Sequence, residues 1–259
     1  MKRAFVEQNI WQKKDSELSV EESYHLLTVL RAKPEEMIEI FDGQGQTARA
    51  KLIPARKNIA GIKIMGESIR RVEPYRPPFI LLQAMPKHSG MDVIIQKATE
   101  LGVQTIVPVI TERVIVKLNK RSADKRRARW RKIVLASAKQ SHAAWLPEIS
   151  PIVSLAEAVK AVQSDLRLFG SLAPRTPLFK EVLAKVSRPA VKSIALVIGP
   201  EGDLTDGERE LLSAARFEPV SFGSGVLRVE TAAVFGLSVL NYEFPRKMRN
   251  AECRMKNFL

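Results

Sequence analysis

The stretch 193–241, SIALVIGPEGDLTDGERELLSAARFEPVSFGSGVLRVETAAVFGLSVLN, sets the tightest limit on what this 259-residue chain can fold into. Two apolar runs in it, 194–198 and 219–222, each end in a loop carrying Gly or Pro and continue into a helix. The first loop is Gly199-Pro200-Glu201-Gly202. The second is Gly223-Ser224-Gly225, followed by Val226-Leu227-Arg228-Val229-Glu230-Thr231-Ala232. Apolar strands alternating with helices are the pattern of a parallel sheet covered on both faces. Two such units side by side bring both loops to the carboxyl ends of their strands, where open α/β sheets bind ligands. Glycine there lets backbone groups approach a ligand closely. Thr205-Asp206-Gly207-Glu208 reads as a capping box that starts the helix after the first loop.

The same alternation extends back to residue 79. The segment 79–85 reads as an almost wholly apolar strand. The segment 90–101 reads as a helix with Met91, Ile94, Ile95, Ala98 and Leu101 on one stripe, stopped by Gly102. Further strands are expected at 104–110, 114–116 and 165–169, the last ending at Gly170-Ser171, and a helix at 122–141 docked through Trp130, Ile133, Val134, Leu135 and Ala138. Before residue 74 the pattern differs. Short strands are expected at 4–6, 37–41, 47–53 and 59–65, with a hairpin turn at Asp42-Gly43-Gln44-Gly45 and one helix at 20–31 carrying Tyr24, Leu27 and Leu30 near one face. Such a set argues for a small, partly closed barrel. Val72-Glu73-Pro74-Tyr75-Arg76-Pro77-Pro78 reads as an extended linker. The expected domains are therefore 1–73 and 74–259.

Hydrophobic content of 45% and charged content of 27% fit an ordinary soluble protein. No apolar run approaches the roughly 18–20 residues that span a bilayer. The start, Met1-Lys2-Arg3-Ala4-Phe5-Val6-Glu7, is too short an apolar run and too quickly charged for a signal peptide, so a cytoplasmic protein with no membrane partner is expected. One cysteine, Cys253, and three scattered histidines (His25, His88, His142) offer no disulfide framework and no metal-ligand spacing, and no metal is expected. The net charge of +14 is unevenly spread: the first 73 residues are near neutral, whereas 112–132 carry 10 basic side chains against 2 acidic ones. A second cluster follows at Arg246, Lys247, Arg249, Arg254 and Lys256. Blocks of this kind suit a polyanion, and nucleic acid is the expected partner.

The paired loops, with the Leu227-Arg228-Val229-Glu230-Thr231-Ala232 run, resemble the SPOUT class of S-adenosylmethionine-dependent RNA methyltransferases. Within it they are most similar to the ribosomal RNA small subunit methyltransferase E family, which methylates N3 of a uridine. Pro86-Lys87-His88-Ser89-Gly90-Met91-Asp92 and Gln96-Lys97-Ala98-Thr99-Glu100-Leu101-Gly102-Val103 share that resemblance. His25-Leu26-Leu27-Thr28-Val29-Leu30-Arg31 with Phe41-Asp42-Gly43 is similar to the PUA-like RNA-binding domain that opens the family. The resemblance implies an α/β fold: a trefoil-knotted SPOUT parallel-sheet domain preceded by a small PUA-like β-barrel domain. It also implies S-adenosyl-L-methionine as cofactor, 16S ribosomal RNA or the small ribosomal subunit as partner, and a homodimer with cofactor sites at its interface.

Carried over residue by residue, the resemblance puts the cofactor on Gly170 and Ser171, on Ile198, Gly199, Pro200, Glu201 and Gly202, and on Ser221, Phe222, Gly223 and Leu227. It puts RNA on Arg3, Arg31, Lys87, Lys97 and Gln140, with Lys2 beside them. Read on their own spacing, Lys97 and Glu100 equally suit an i,i+3 ion pair. Arg228 is assigned the charge that spreads onto O2 and O4 as the uridine N3 proton leaves, because guanidinium stays cationic and offers paired donors. Glu230 and Thr231 read as structural. Three positions depart from the family pattern: Asp203 replaces a usual glycine, Gly225 a usual arginine, and Ala138-Lys139-Gln140-Ser141-His142 a more typical acidic and arginine-bearing run. Methylation of a ribose 2′-O or of transfer RNA, and RNA binding without chemistry, stay open as alternatives.

Overall fold

The computed structural model describes residues 1–56, 58–74, 77–87, 90–113 and 120–245, and divides into two compact units. One is Met1–Pro74 with Arg126–Glu148, the other Tyr75–Lys125 with Ile149–Leu259. The strand expected at 114–116, His88, Cys253 and the basic cluster at 246–256 lie outside the described residues.

The first unit begins with β1 (Arg3–Phe5), β2 (Asp15–Glu17), α1 (Val20–Tyr24), β3 (Met37–Phe41), β4 (Gln46–Pro54), β5 (Ala60–Ile64) and β6 (Arg70–Arg71). The strands form one sheet in the order β1-β3-β4-β5-β2, with β6 on β4; β1 and β3 are parallel and the other pairs antiparallel. Alternation puts Ile38 and Ile40 of β3 opposite Ala50 and Ala48 of β4, and these join Leu26, Leu52 and Ile62 in the core. The hairpin turn closes as its sequence dictates. Gly43 and Gly45 take φ of 72° and 95°, and the Asp42 carboxylate accepts from the backbone N–H groups of Gln44 (2.8 Å) and Gln46 (3.0 Å).

The helix expected at 20–31 is shorter and differently phased. After α1 the chain widens into a π turn at His25–Val29, and Arg31 adopts the left-handed conformation with φ of 50°. The wider turn shifts the helical phase. Leu26 becomes the buried residue, Leu30 packs partly against the core, and Tyr24 and Leu27, expected to share an inward face, point to solvent.

The second unit contains β7 (Phe79–Ala84), α2 (Gly90–Glu100) and β8 (Thr105–Ile110). The long helix α3 (Lys120–Ser141) then carries the chain to β9 (Glu148–Ile149), β10 (Val153–Ser154), α4 (Leu155–Ala161), β11 (Leu166–Gly170) and α5 (Phe179–Ala184). It ends with β12 (Ile194–Ile198), α6 (Asp206–Ala214), β13 (Glu218–Val220) and α7 (Val229–Glu243). Six strands run parallel in the order β10-β8-β7-β12-β11-β13, and β12, central in the sheet, is buried along its whole length. Leu82, Val107, Phe169, Val197, Leu212 and Phe217 fill one face. α7 packs on α2 and β12 over the other. Gly236 permits that approach, since a Cβ there would stand 2.7 Å from Leu196 Cδ2 and 3.3 Å from Phe222.

The stripe expected to dock 122–141 is the buried one: Trp130, Val134 and Ala138 are each under 5% exposed. It docks within the first unit, where Ala138 and Ala143 pack with Phe41, Phe5, Leu135 and Leu146. Arg3 anchors this contact. Its guanidinium donates 2.7 Å hydrogen bonds to the carbonyls of Ala138 and Ala143, pairs with Glu39 at 3.1 Å and lies 3.9 Å from the Phe41 ring centroid.

Candidate active site

β12, β11 and β13 are neighbours in the sheet, so the three glycine-bearing loops leave it side by side. Gly170, at the end of β11, touches the other two: a Cβ built on it would lie 3.1 Å from the Phe222 ring and 3.8 Å from Ile198 Cδ1. The Ser171 N–H donates to the Val220 carbonyl at 3.0 Å. The chain then returns at 177–179 to bracket Ser221, whose N–H donates to Pro177 O (2.8 Å) and whose carbonyl accepts from Phe179 N (3.0 Å). Phe222 is wedged between Phe179 and Phe235, each ring centroid 5.5 Å away.

The loop 199–202 is fastened from its far side. Glu201, assigned to the cofactor by resemblance, accepts a 2.7 Å hydrogen bond from the Lys87 backbone N–H at the end of β7. Arg113 donates to the Gly202 carbonyl. A tight turn follows, with Asp203 N–H donating to Pro200 O at 3.0 Å, and Asp203 takes a left-handed φ of 59°, the conformation that makes glycine usual there. Its charge is matched: Arg209 Nη1 lies 3.1 Å from the carboxylate and also donates to Leu204 O. The capping box forms as expected, Thr205 Oγ1 accepting from Glu208 N (3.2 Å) and Glu208 from Thr205 N (2.9 Å). The buried Glu208 carboxylate also accepts from Glu112 N at 2.9 Å, tying the end of β8 to α6.

In the third loop Gly223 takes φ of 128° and Gly225 faces open space, as does the side of Gly223 on which a side chain would sit. Leu227 is half-buried. Arg228 is the N-cap of α7; it is exposed and makes no ion pair among the described residues. Glu230 contributes structure. It lies in the first turn of α7 with its carboxyl against Gly90, the first residue of α2, a place beside two helix N-termini that suits a negative charge. Glycine backbone is open in the third loop, at Gly223 and Gly225, whereas Gly170, Gly199 and Gly202 face the side chains of Phe222, Leu204 and Arg113; Ile198, buried, and Leu227, half-buried, add apolar surface. That donor set suits an adenosine held by backbone hydrogen bonds and apolar contact.

Residues expected to meet RNA separate into buried and free. Arg3 is 3% exposed, its guanidinium committed to Ala138, Ala143 and Glu39, so it holds the first unit together and cannot face RNA. Burial lowers its pKa from the ordinary arginine value, against the raising effect of Glu39. Lys97 is paired with Glu100 at 2.9 Å, the i,i+3 alternative, and Lys2 with Glu36. Arg31, Lys87 and Gln140 are exposed.

One residue escaped the sequence reading. Gln83 lies wholly buried inside a strand read as apolar, in register with Ile198. Its Nε2 donates to Ala84 O, and its Oε1 finds no donor among the described residues. Its signal was a lone amide in an apolar run, read through as noise. Among the described residues no three His, Cys, Asp or Glu side chains gather as a metal site, and no helix is long and apolar enough to cross a membrane.

Two family models match the chain, an RNA methyltransferase domain over residues 74–241 and an RNA methyltransferase PUA domain over 18–65. The ribosomal RNA small subunit methyltransferase E of Synechocystis is 31% identical over 226 residues, covering 86% of this chain and 72% of that protein. The same enzyme of Bacillus subtilis is 28% identical, covering 94% and 97%. That of Neisseria gonorrhoeae, solved bound to S-adenosyl methionine, superposes with a TM-score of 0.82 at 31% identity, over 93% of this chain and 97% of that one.

Proposed function

The chain belongs to the ribosomal RNA small subunit methyltransferase E family, and on that premise we propose that it methylates N3 of a specific uridine in 16S ribosomal RNA using S-adenosyl-L-methionine. The observation that carries the reading is the convergence of the three glycine-bearing loops on Gly170, with the free guanidinium of Arg228 ending the third.

Bound there, the cofactor supplies an electrophilic methyl group on a sulfonium. The chain's part is to align donor and acceptor and to stabilise charge where it develops. Backbone groups of Gly170-Ser171, of Ile198, Gly199, Pro200 and Gly202, and of Ser221, Phe222 and Gly223 hold the adenosine, with Leu227 against it. Glu201 acts one step back, fixing the β7 end against the loop. Arg228 stabilises the negative charge that spreads onto O2 and O4 as N3 loses its proton. Arg31, Lys87 and Gln140 contact the RNA. The functional domains in this reading are 1–73 for RNA and 74–259 for chemistry, the latter carrying the knot.

The active species is a homodimer in the cytoplasm. Thr231, Phe235, Ser238 and Tyr242 form an exposed stripe on α7, with Tyr242 82% and Phe235 39% exposed, two aromatic rings among hydroxyl side chains that a second copy would cover. The test is to incubate the protein with S-adenosyl-L-methionine and small subunits from cells lacking it, then locate the methyl group by mass analysis of digested RNA. A base-methylated uridine in 16S RNA is expected. A methylated ribose, a transfer-RNA product or no transfer would overturn the assignment.

A further inference from the structure

The first unit carries a cavity of about 410 Å³ in a place to which the methyl-transfer chemistry assigns nothing. One wall is the segment 11–14 leading into β2, and the other runs from the end of β5 through the turn at 66–69. Trp11, Ile64, Met65 and Ile69 are the apolar residues of its lining; Ile64 is buried in the core, and Ile69 is 36% exposed. Trp11 is held in place, packed partly against the core with its Nε1–H donating to Asp42 at 3.2 Å. Around this lining stand Lys13, Lys14 and Lys63, all exposed and none in an ion pair among the described residues. The backbone fixes their grouping, because Ile64 N–H donates to Lys14 O at 2.9 Å and so sets 13–14 beside 63–64. Glu67 is the one acidic side chain of the lining, leaving a surplus of positive charge. Gly66 needs no special backbone conformation, and a Cβ on it would meet nothing within 4 Å.

A half-buried indole beside three exposed lysines, one of them cross-strand from Asp15, suits a planar base stacked on the indole with its flanking phosphates on the lysines. The volume lies within the range of small-molecule sites. We propose that this cavity holds an unpaired nucleotide of the RNA substrate and so reads single-stranded RNA apart from the site of methyl transfer. The proposal rests on the reading of the protein as an RNA-modifying enzyme. Duplex RNA keeps its bases stacked and offers the lysines phosphate only.

The test is fluorescence anisotropy on the full chain, titrated with a labelled oligouridylate and with a labelled hairpin duplex of equal length. Gly66→Leu, which adds bulk to the lining without changing charge, and Trp11→Ala should each weaken oligouridylate binding about tenfold and duplex binding less than about twofold. Lys14→Ala and Lys63→Ala, both at exposed positions, should each lower the slope of log affinity against log salt by about 0.7 on the single strand. Calorimetric affinity for S-adenosyl-L-methionine should stay unchanged in all four, which separates this site from the methyltransferase site. Equal losses on single strand and duplex, dependence on the lysines alone, or competition by an acidic peptide as strong as by oligouridylate would overturn the proposal. Wild-type protein that binds the cofactor but no RNA would overturn it together with the RNA reading.

Discussion

Arg209 holds Asp203 at 3.1 Å across the first turn of α6, immediately beyond the loop 199–202. The pair answers two problems created by an aspartate in a place suited to glycine. A left-handed φ costs a residue with a Cβ on the order of 1 kcal/mol relative to glycine, less for Asp than for most. A partly exposed ion pair returns about 0.2–1 kcal/mol, and glycine would widen the unfolded ensemble. These terms nearly cancel, so Asp203→Gly should change unfolding free energy by less than about 1 kcal/mol. Arg209→Ala should cost about 1–2 kcal/mol, because it also removes donors to Leu204 O and Asp206. It should weaken cofactor binding as well, by leaving a carboxylate uncompensated near the loop. Urea unfolding and calorimetry on both variants read these effects, and Arg209→Ala protein with unchanged stability would refute the account.

Arg3 is expected to be structural. Arg3→Met leaves the buried Ala138 and Ala143 carbonyls without their charged donor and leaves the partly exposed Glu39 with His142 alone among the described residues, so a loss of about 2–4 kcal/mol is expected. RNA affinity per folded molecule should be unaltered. Arg31→Ala, at an exposed position, should do the reverse: little change in stability, with weaker binding whose salt slope falls by about 0.7–0.9.

Gly236→Ala sets helix propensity against packing. Alanine is favoured over glycine by about 1 kcal/mol in a helix interior. Its methyl group would stand 2.7 Å from Cδ2 of the buried Leu196, which must shift within the core. Overpacking of this kind costs about 1–3 kcal/mol, so net destabilisation of about 1 kcal/mol is expected by thermal unfolding. Because Phe222 lies 3.3 Å from the same point, cofactor affinity should fall with it.

The capping box of α4 gives a pH prediction. Hydrogen bonds from the Ser154 side chain and backbone hold the Glu157 carboxyl below the ordinary glutamate value. A carboxyl whose folded pKa is depressed contributes stability above its unfolded value, and that contribution is lost as pH falls through the folded pKa. Stability should therefore decline on acidification below about pH 4.5, and Ser154→Ala should lower stability at neutral and alkaline pH, converge on the parent in acid and so flatten that limb.

How far the sequence reached depended on how local the cause was. The loops at 199–202 and 223–225, the Thr205–Glu208 box and β12 are written in adjacent residues, and they formed where they were expected. Asp203 carries its own reason, but its compensation by Arg209 is tertiary. The phase of 20–31 was misread because a π turn is invisible to a 3.6-residue period, and that error turned Tyr24 and Leu27 inward. Arg3 looked like a surface cation because nothing near it in sequence announces Ala138 and Ala143, 135 and 140 residues away. The packing of 126–148 with the first unit was hidden for the same reason: an apolar stripe shows that a helix docks, not where. Gln83 was passed over because a buried amide amid Leu and Ala adds almost nothing to a hydropathy pattern.

Arg228 is the sharpest test of the chemistry. It caps α7 through its backbone, with Ala232 N–H donating to its carbonyl at 2.8 Å, while its exposed side chain makes no cap hydrogen bond. Replacing the side chain should therefore spare the fold, and Arg228→Ala should melt within about 0.5 kcal/mol of the parent. If the guanidinium meets charge that exists only as the uridine loses its N3 proton, the loss appears in turnover and not in binding. A fall of about 10²–10³ in kcat is expected, the magnitude typical of removing one donor from a developing oxyanion. Cofactor affinity should change by less than about twofold. Arg228→Lys restores the charge without the paired donors and should recover only part of the rate. Single-turnover methylation of unmodified small subunits, run beside calorimetry with the cofactor, separates the cases. An alanine variant that loses cofactor binding and rate together would move Arg228 from the reacting base to the cofactor, and one with full turnover would remove it from the mechanism.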